Sequence, residues 1–276
     1  MPSNTEWFDA ICKSYETSPF FFEGTLLPTF PPDSVQINTT GQAGPATLKE
    51  AFVFYEDCAS IFSRLGAALH ADKKLLDFGI GWGRIARFFL KDIPLGNIHG
   101  LDVMAEFVEI CKQTFRSDNF SVTTPFPPTQ IAPGQFDFVV GYSVFSHLSE
   151  QACLEWMKEF HRITKPGALV ALTTRGRPFF DYCESLRGKN YGSYSDALAS
   201  MFTDFPAARA KYDRGEIVHS NSYGVTGGGA MTADFYGETF IPKAYADQAY
   251  SQFFRLEEFL YDPRRQSHPI MFFRRV

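Results

Sequence analysis

Between residues 73 and 175 the apolar positions change their period several times. "KLLDF" at 74–78 is a short apolar run and predicts a strand. After it, Ile85, Phe88 and Phe89 fall at helical spacing. "NIHGLD" at 97–102 predicts a second strand, and Phe107, Ile110 and Cys111 mark the buried face of the helix that follows. "NFSVTT" at 119–124 predicts a short third strand. "FDFVVGY" at 136–142 predicts a fourth, apolar almost throughout, as a strand covered on both faces must be. Residues 150–163 read as a helix with Cys153, Trp156, Phe160 and Ile163 on one side. "KPG" at 165–167 suits a type II turn, and "ALVALTT" after it is a fifth strand. Alternating strands and helices predict a parallel sheet with helices on both faces.

The flanks differ. Residues 47–69 predict a helix, with Thr47 as N-cap, Glu50 completing a capping box, and Phe54, Cys58, Ile61 and Leu65 as its buried stripe. In residues 1–46, Pro19, Pro28, Pro31, Pro32 and Pro45 interrupt any long element, so this part is expected to be an arm or cover. Residues 176–240 hold nine glycines and twelve aromatic side chains. A loop of that length without structure is improbable, so two short helices are expected inside it. One spans 195–202 with Ser195 as cap, and the other spans 206–214 between Pro206 and Gly215. "GVTGGGAM" at 224–231 is expected to be mobile, and the zone as a whole to act as a lid. "IPKAYADQAYSQFF" at 241–254 predicts a helix, and "FRLEEFLYD" and "HPIMFFRRV" predict two strands around a polar turn.

Composition narrows the class. A chain of 276 residues with 45% hydrophobic content supports one core with an elaboration. Thirty Phe among 16% aromatic residues suggest an apolar pocket besides the core. A net charge of −5 offers no footprint for nucleic acid or for an acidic membrane surface. Cys12, Cys58, Cys111, Cys153 and Cys183 are scattered, with no metal-ligand spacing, so neither a metal site nor iron–sulfur chemistry is expected. There is no signal-like N-terminus and no apolar run of membrane-spanning length. The expectation is a cytoplasmic protein without a membrane partner.

The chemistry concentrates in "LLDFGIGWGRIARFFL", residues 75–90. A strand that runs into a glycine-rich turn before a helix suits an anionic group, with backbone N–H groups and the helix dipole aimed at it. A dinucleotide fingerprint needs a third glycine where Arg84 stands, and a phosphate loop needs a following GK[ST] that is absent. "DFGIGWGR" resembles motif I of the class I S-adenosylmethionine-dependent methyltransferases. Asp102 in "HGLDVMAEF", the segment "FDFVVGYSVFSHL", the segment "FHRITKPGALVALTT" and the C-terminal helix with two strands are similar to that family's later elements. The resemblance covers residues 48–175 well and 241–276 loosely. It implies an α/β, Rossmann-like sheet of seven strands, mostly parallel, with an antiparallel C-terminal hairpin. Residues 47–175 and 241–276 would form the core, 1–46 the arm, and 176–240 a lid inserted after the fifth strand.

The resemblance also implies the cofactor, S-adenosyl-L-methionine, with S-adenosyl-L-homocysteine as product. Gly79, Gly81 and Gly83 would admit its methionine portion, and Asp77 would face the ammonium group. Asp102 would accept from the ribose hydroxyls, and Val103 and Met104 would cover the adenine. Thr124 or a backbone group would stand where relatives often place an acid near the adenine amino group. Trp82 would cover the cofactor, and Tyr142 and Ser143 would complete its site at the end of the fourth strand. Three bland readings stay beside these. Asp77 can tie the turn to backbone N–H groups, Asp102 can cap the next helix, and Trp82 can simply pack.

In-line methyl transfer needs a base only when the acceptor keeps its proton until attack. His147, just after the fourth strand, is the candidate base, and its alternative role is structural. His219, Tyr223, Asp181 and Tyr182 are candidates in the lid. The [DN]PP[YF] signature of DNA amino-methyltransferases is absent, its place being taken by "GYSV". The lid carries six Lys and Arg against eight Asp and Glu, which is unsuited to a phosphate backbone. A small organic or sugar-like acceptor is therefore expected. An NAD-type oxidoreductase and a non-catalytic S-adenosylmethionine binder are the rival classes.

Overall fold

The computed structural model describes residues 2–225 and 227–276. Thr226, inside the stretch expected to be mobile, lies outside the described residues. The chain forms two compact units. The first comprises Met1–Thr123 with Phe136–Tyr142, and the second comprises Thr124–Gln135 with Ser143–Val276.

The first unit opens with α1 (Asn4–Glu16). The Ser3 hydroxyl accepts from the Glu6 N–H, while the Glu6 carboxylate accepts from the Ser3 N–H, so a capping box starts the helix. It buries Trp7, Ala10 and Ile11. The arm therefore contains a full helix, because no proline lies between Asn4 and Glu16. The strands β1 (Phe21–Phe22) and β2 (Thr25–Leu26) and the helix α2 (Asp33–Thr40) follow. Next comes α3 (Pro45–Arg64), which has Gly44 as N-cap and Pro45 in its first turn. The box expected at Thr47 and Glu50 does not form. Thr47 Oγ1 donates to Thr40 Oγ1 at 2.8 Å, and Glu50 accepts from Arg84 Nη1 at 2.9 Å.

The strands β3 (Leu75–Phe78), β4 (Ile98–Asp102), β5 (Phe120–Val122) and β6 (Phe136–Gly141) carry the parallel part of the sheet. Between them lie α4 (Ala86–Phe89) and α5 (Ala105–Phe115). β3 is buried at all four positions, as its unbroken apolar run foretells. Register sets Asp77 opposite Gly100 on β4 and Val140 on β6.

The second unit holds α6 (Glu150–Ile163), β7 (Thr164–Thr173), α7 (Arg177–Ser185), α8 (Ser193–Ser200) and α9 (Phe205–Asp213). After these come β8 (Val218–Ser220), β9 (Glu238–Phe240), α10 (Lys243–Ala249), β10 (Phe254–Leu260) and β11 (Ile270–Arg275). The seven-stranded sheet runs β10-β11-β7-β6-β3-β4-β5. β11 is antiparallel to both β7 and β10. This is the mostly parallel, Rossmann-like sheet with an antiparallel C-terminal hairpin that the sequence implies.

Residues 176–240 have their own apolar centre, made by Phe180, Leu198, Met201, Phe205 and Phe240. The Phe180 and Phe240 rings stack at 3.7 Å. The two expected helices are present with different starts. α8 begins at Ser193 with Gly192 as N-cap, so Ser195 is not the cap. α9 is capped by Asp204, whose side chain accepts from the Ala207 N–H at 2.8 Å. α7 and the β8–β9 hairpin are additional. Of residues 241–254 only Lys243–Ala249 is helical. Among the described residues, no helix is long and apolar enough to cross a membrane.

Gly83 has a φ of 81°, and a Cβ there would lie 2.3 Å from the Phe115 ring. Both the left-handed backbone and the close approach require glycine. Gly83→Ala is expected to lower the unfolding free energy in urea by about 2–4 kcal/mol. An unchanged transition would contradict the packing described.

Candidate active site

β3 ends in a turn with positive φ at alternate residues, 71° at Gly79, 52° at Gly81 and 81° at Gly83. The end of β4 holds this turn. Gly79 N–H and Ile80 N–H both donate to the Leu101 carbonyl, at 2.8 and 3.0 Å. Gly81 N–H donates to Asp102 Oδ2 at 2.8 Å, and Gly83 N–H to the Ile80 carbonyl at 2.9 Å. These four amides bond within the protein and are not aimed at an anion. The turn instead offers open backbone, since a Cβ added at Gly81 would meet nothing within 4 Å. Arg84 fills the place of a dinucleotide enzyme's third glycine. Its Nη1 donates to the Thr47 carbonyl at 3.1 Å and to Glu50, which ties the turn to α3.

Asp77 is 1% exposed, and its Oδ2 has no hydrogen-bond partner among the described residues. Burial pushes its pKa up to about 7; a hydrogen bond from the Ala86 backbone opposes this, the nearby charge of Asp102 adds to it, and Arg84 opposes it. Asp102 Oδ2 accepts from Gly81 N–H, and Oδ1 accepts from Met104 N–H at 2.9 Å. Burial raises the Asp102 pKa against the backbone hydrogen bonds of Met104, Gly81 and Val103. The N-cap position of α5 belongs to Met104. An orphaned buried carboxylate oxygen, a second buried acid beside it and an open glycine face fit a ligand that brings a cationic donor and hydroxyls.

The other candidates fall in different surroundings. Val103 and Met104 are half-buried. Trp82 is 2% exposed, and its Nε1–H donates to Thr39 Oγ1 at 3.1 Å, so its indole packs against α2. The Tyr142 ring meets Phe54 at 5.0 Å and the Arg84 guanidinium at 5.2 Å. Thr124 is exposed, and its hydroxyl donates to the Phe126 carbonyl at 2.6 Å.

The second unit contains a buried polar cluster. His147 Nδ1 lies 2.8 Å from the Gly237 carbonyl and 3.5 Å from Glu238 Oε1, and its Nε2 lies 3.3 Å from Ser143 Oγ. A nitrogen facing a carbonyl must carry the proton, which leaves Nε2 as the acceptor of the neutral ring. The Tyr236 ring stacks on the imidazole at 4.8 Å with an interplanar angle of 2°. Burial lowers the His147 pKa; Glu238 raises it, Arg175 lowers it, and the Gly237 carbonyl raises it. Ser143 has a φ of 58°, rare for a residue with a side chain, and its N–H donates to Thr173 Oγ1 at 2.7 Å.

His219 joins the same neighbourhood through β8, with Nδ1 2.7 Å from Thr239 Oγ1. Tyr223 is fully exposed. Asp181 pairs with Arg177 and Arg209 and belongs to the surface of α7, and Tyr182 is exposed. Glu238, Arg175 and Tyr194 were not singled out in the sequence. The available signal was Glu238 itself, an acid in the otherwise uncharged run "YGETFI". Among the described residues, no group of three His, Cys, Asp or Glu could hold a metal ion.

Residues 76–170 match the family model described as a methyltransferase domain. No curated protein matches the chain. A structure from Listeria monocytogenes assigned to the S-adenosylmethionine-dependent methyltransferases aligns with a TM-score of 0.52 at 11% identity, over 83% of this chain and 99% of that one. An S-adenosylmethionine-dependent methyltransferase from Mesorhizobium loti aligns with a TM-score of 0.50 at 11% identity, over 79% and 99%. At such identities the likeness is one of fold. The glycine turn, the sheet order and the matched segment together define a methyltransferase domain. The chain carries a methyltransferase domain on a sheet of the class I fold and is an enzyme whose cofactor is S-adenosylmethionine.

The pKa of Asp77 gives a pH test. Its folded value lies above the unfolded one, so its contribution to stability is full below about 4 and is lost as pH rises through about 7. Asp77→Asn does not titrate. Its gain in unfolding free energy over the natural protein should grow across that window to roughly 4 kcal/mol and then level off. A difference independent of pH, measured by urea titration without cofactor, would contradict the buried, unpaired carboxylate.

Proposed function

We propose that the chain transfers a methyl group in line from S-adenosylmethionine to a hydroxyl of a small organic or sugar-like acceptor. The observation that carries this reading is His147, a buried neutral imidazole whose Nδ1–H is fixed on a carbonyl and whose Nε2 is left as a base. In the proposed cofactor site Asp77 receives the ammonium group on its unpartnered Oδ2. Asp102 receives the ribose hydroxyls, and the face of Gly81 admits the methionine portion. Val103 and Met104 flank the adenine. The bound cofactor supplies a methyl group already activated by its sulfonium. The chain has to align the acceptor, exclude water and remove a proton.

His147 does the last of these. Its Nε2 takes the proton from the acceptor hydroxyl as that oxygen becomes the nucleophile. Chain continuity supports the assignment, since Ser143, the neighbour of Nε2, directly follows Tyr142 at the end of β6. The acidic balance of residues 176–240 supports a small acceptor over nucleic acid. The inserted segment, with its own apolar centre, is proposed as the acceptor-side cover.

Two measurements test the reading. S-adenosylhomocysteine should bind in the micromolar range, about −8 kcal/mol, and Asp102→Ala should weaken it by roughly 1.5–3 kcal/mol in calorimetry. Radiolabelled cofactor offered with small phenols, sugars and nucleic acids should label a small hydroxyl compound. His147→Ala should slow that labelling about 10²–10⁴-fold while leaving homocysteine-product affinity unchanged. Label on nucleic acid alone, or full transfer by His147→Ala, would contradict it.

A further inference from the structure

Glu238 lies on β9 in the inserted segment, is 0% exposed, and is charged. A carboxylate removed from water this completely persists only with close partners. It has three. Arg175 donates from Nε to Oε2 at 2.7 Å and from Nη2 to Oε1 at 3.3 Å, and the Tyr194 hydroxyl donates to Oε1 at 2.9 Å. Arg175 Nη1 in turn lies 2.8 Å from His268 Nε2. The same Oε1 stands 3.5 Å from Nδ1 of His147, beside the Gly237 carbonyl that already faces that nitrogen. Two acceptors therefore face one ring N–H, one of them charged.

We propose that Glu238, held by Arg175 and Tyr194, is a positioning residue that fixes His147 with its proton on Nδ1 and its Nε2 unprotonated beside Ser143 Oγ. The inference rests on the reading of His147 as the base. It gives β9 a second task besides covering the acceptor. Glu238 blocks rotation of the ring, because a flipped imidazole would place a bare nitrogen or a C–H against two acceptor oxygens. Tyr236 sets the plane of the same ring from one face. When Nε2 gains a proton, the new positive charge forms beside a carboxylate already in place and needs no reorganisation. Arg175 tempers this attraction, so the pair supplies orientation first and charge second. The other polar groups facing His147 are Ser143 and the Gly237 carbonyl, with His219 across the β8–β9 hairpin.

The test uses the full chain with S-adenosylhomocysteine bound and ¹⁵N-labelled histidine. NMR should show His147 with its proton on Nδ1, and its titration midpoint should be readable. Glu238→Gln removes the charge that raises the midpoint and frees the Arg175 charge that lowers it. The midpoint should therefore move to lower pH, and the Nε2–H tautomer should appear. Labelling of the small acceptor should fall at least about tenfold with cofactor affinity unchanged. An unmoved midpoint and a single tautomer in folded Glu238→Gln would overturn the proposal. If that variant does not fold, Tyr194→Phe decides, because it leaves the ion pair intact. Loss of a hydroxyl dipole from the carboxylate should raise the His147 midpoint, and an unchanged or lowered midpoint would overturn the proposal. Full transfer by His147→Ala would remove the base assignment itself. Loss of transfer there with an unmoved Glu238→Gln midpoint removes only the role of Glu238.

Discussion

The end of β4 gripping the turn after β3 is the constraint on which the proposed cofactor site depends. One carbonyl, Leu101, takes two successive amides of the turn, and the next residue, Asp102, takes a third. A chain bonded this way must reverse within a few residues, which forces left-handed φ at alternate positions and so selects glycine there. The same bonds leave Gly81 facing open space and Asp77 buried beneath with an unpartnered oxygen. Folding thus maintains a carboxylate whose burial is unfavourable in the free protein. That cost is consistent with a ligand-binding role, since a cationic donor relieves it.

Buried charge is handled differently elsewhere. Arg87 is 0% exposed, and Nη1 and Nη2 have no hydrogen-bond partner among the described residues. Its guanidinium lies 4.0 Å from the Phe30 ring centre and 5.0 Å from that of Trp82, and burial pushes its pKa down to about 9. Aromatic faces stand in for a counter-ion there, which explains why the arm and the glycine turn pack through Trp82 and Phe30. Glu238 is the opposite case, with each charge of the pair met by the other and by hydroxyl and imidazole groups.

The strands and the turn were legible because their signals are local. β3 and β6 are unbroken apolar runs, and the three glycines mark a backbone that other residues resist. Errors arose where one local pattern serves two structures. Ala246, Tyr250 and Phe254 keep a spacing of four, yet the helix ends at Ala249 and the last of them begins β10. The capping box proposed at Thr47 and Glu50 lost to tertiary partners, Thr40 and Arg84. The Glu238–His147 approach joins residues ninety-one positions apart through a hairpin that has only three-residue strands, and no periodicity reports such a meeting.

The central claim is that the orphaned Asp77 oxygen and Asp102 together hold the cofactor. A crystal structure of the protein with S-adenosylhomocysteine tests it most directly. The account predicts the ammonium group at Asp77 Oδ2, directly or through one water, the ribose hydroxyls on Asp102 and the ligand backbone against Gly81. A ligand bound away from the glycine turn, or one that leaves Asp77 Oδ2 unpartnered, would contradict it.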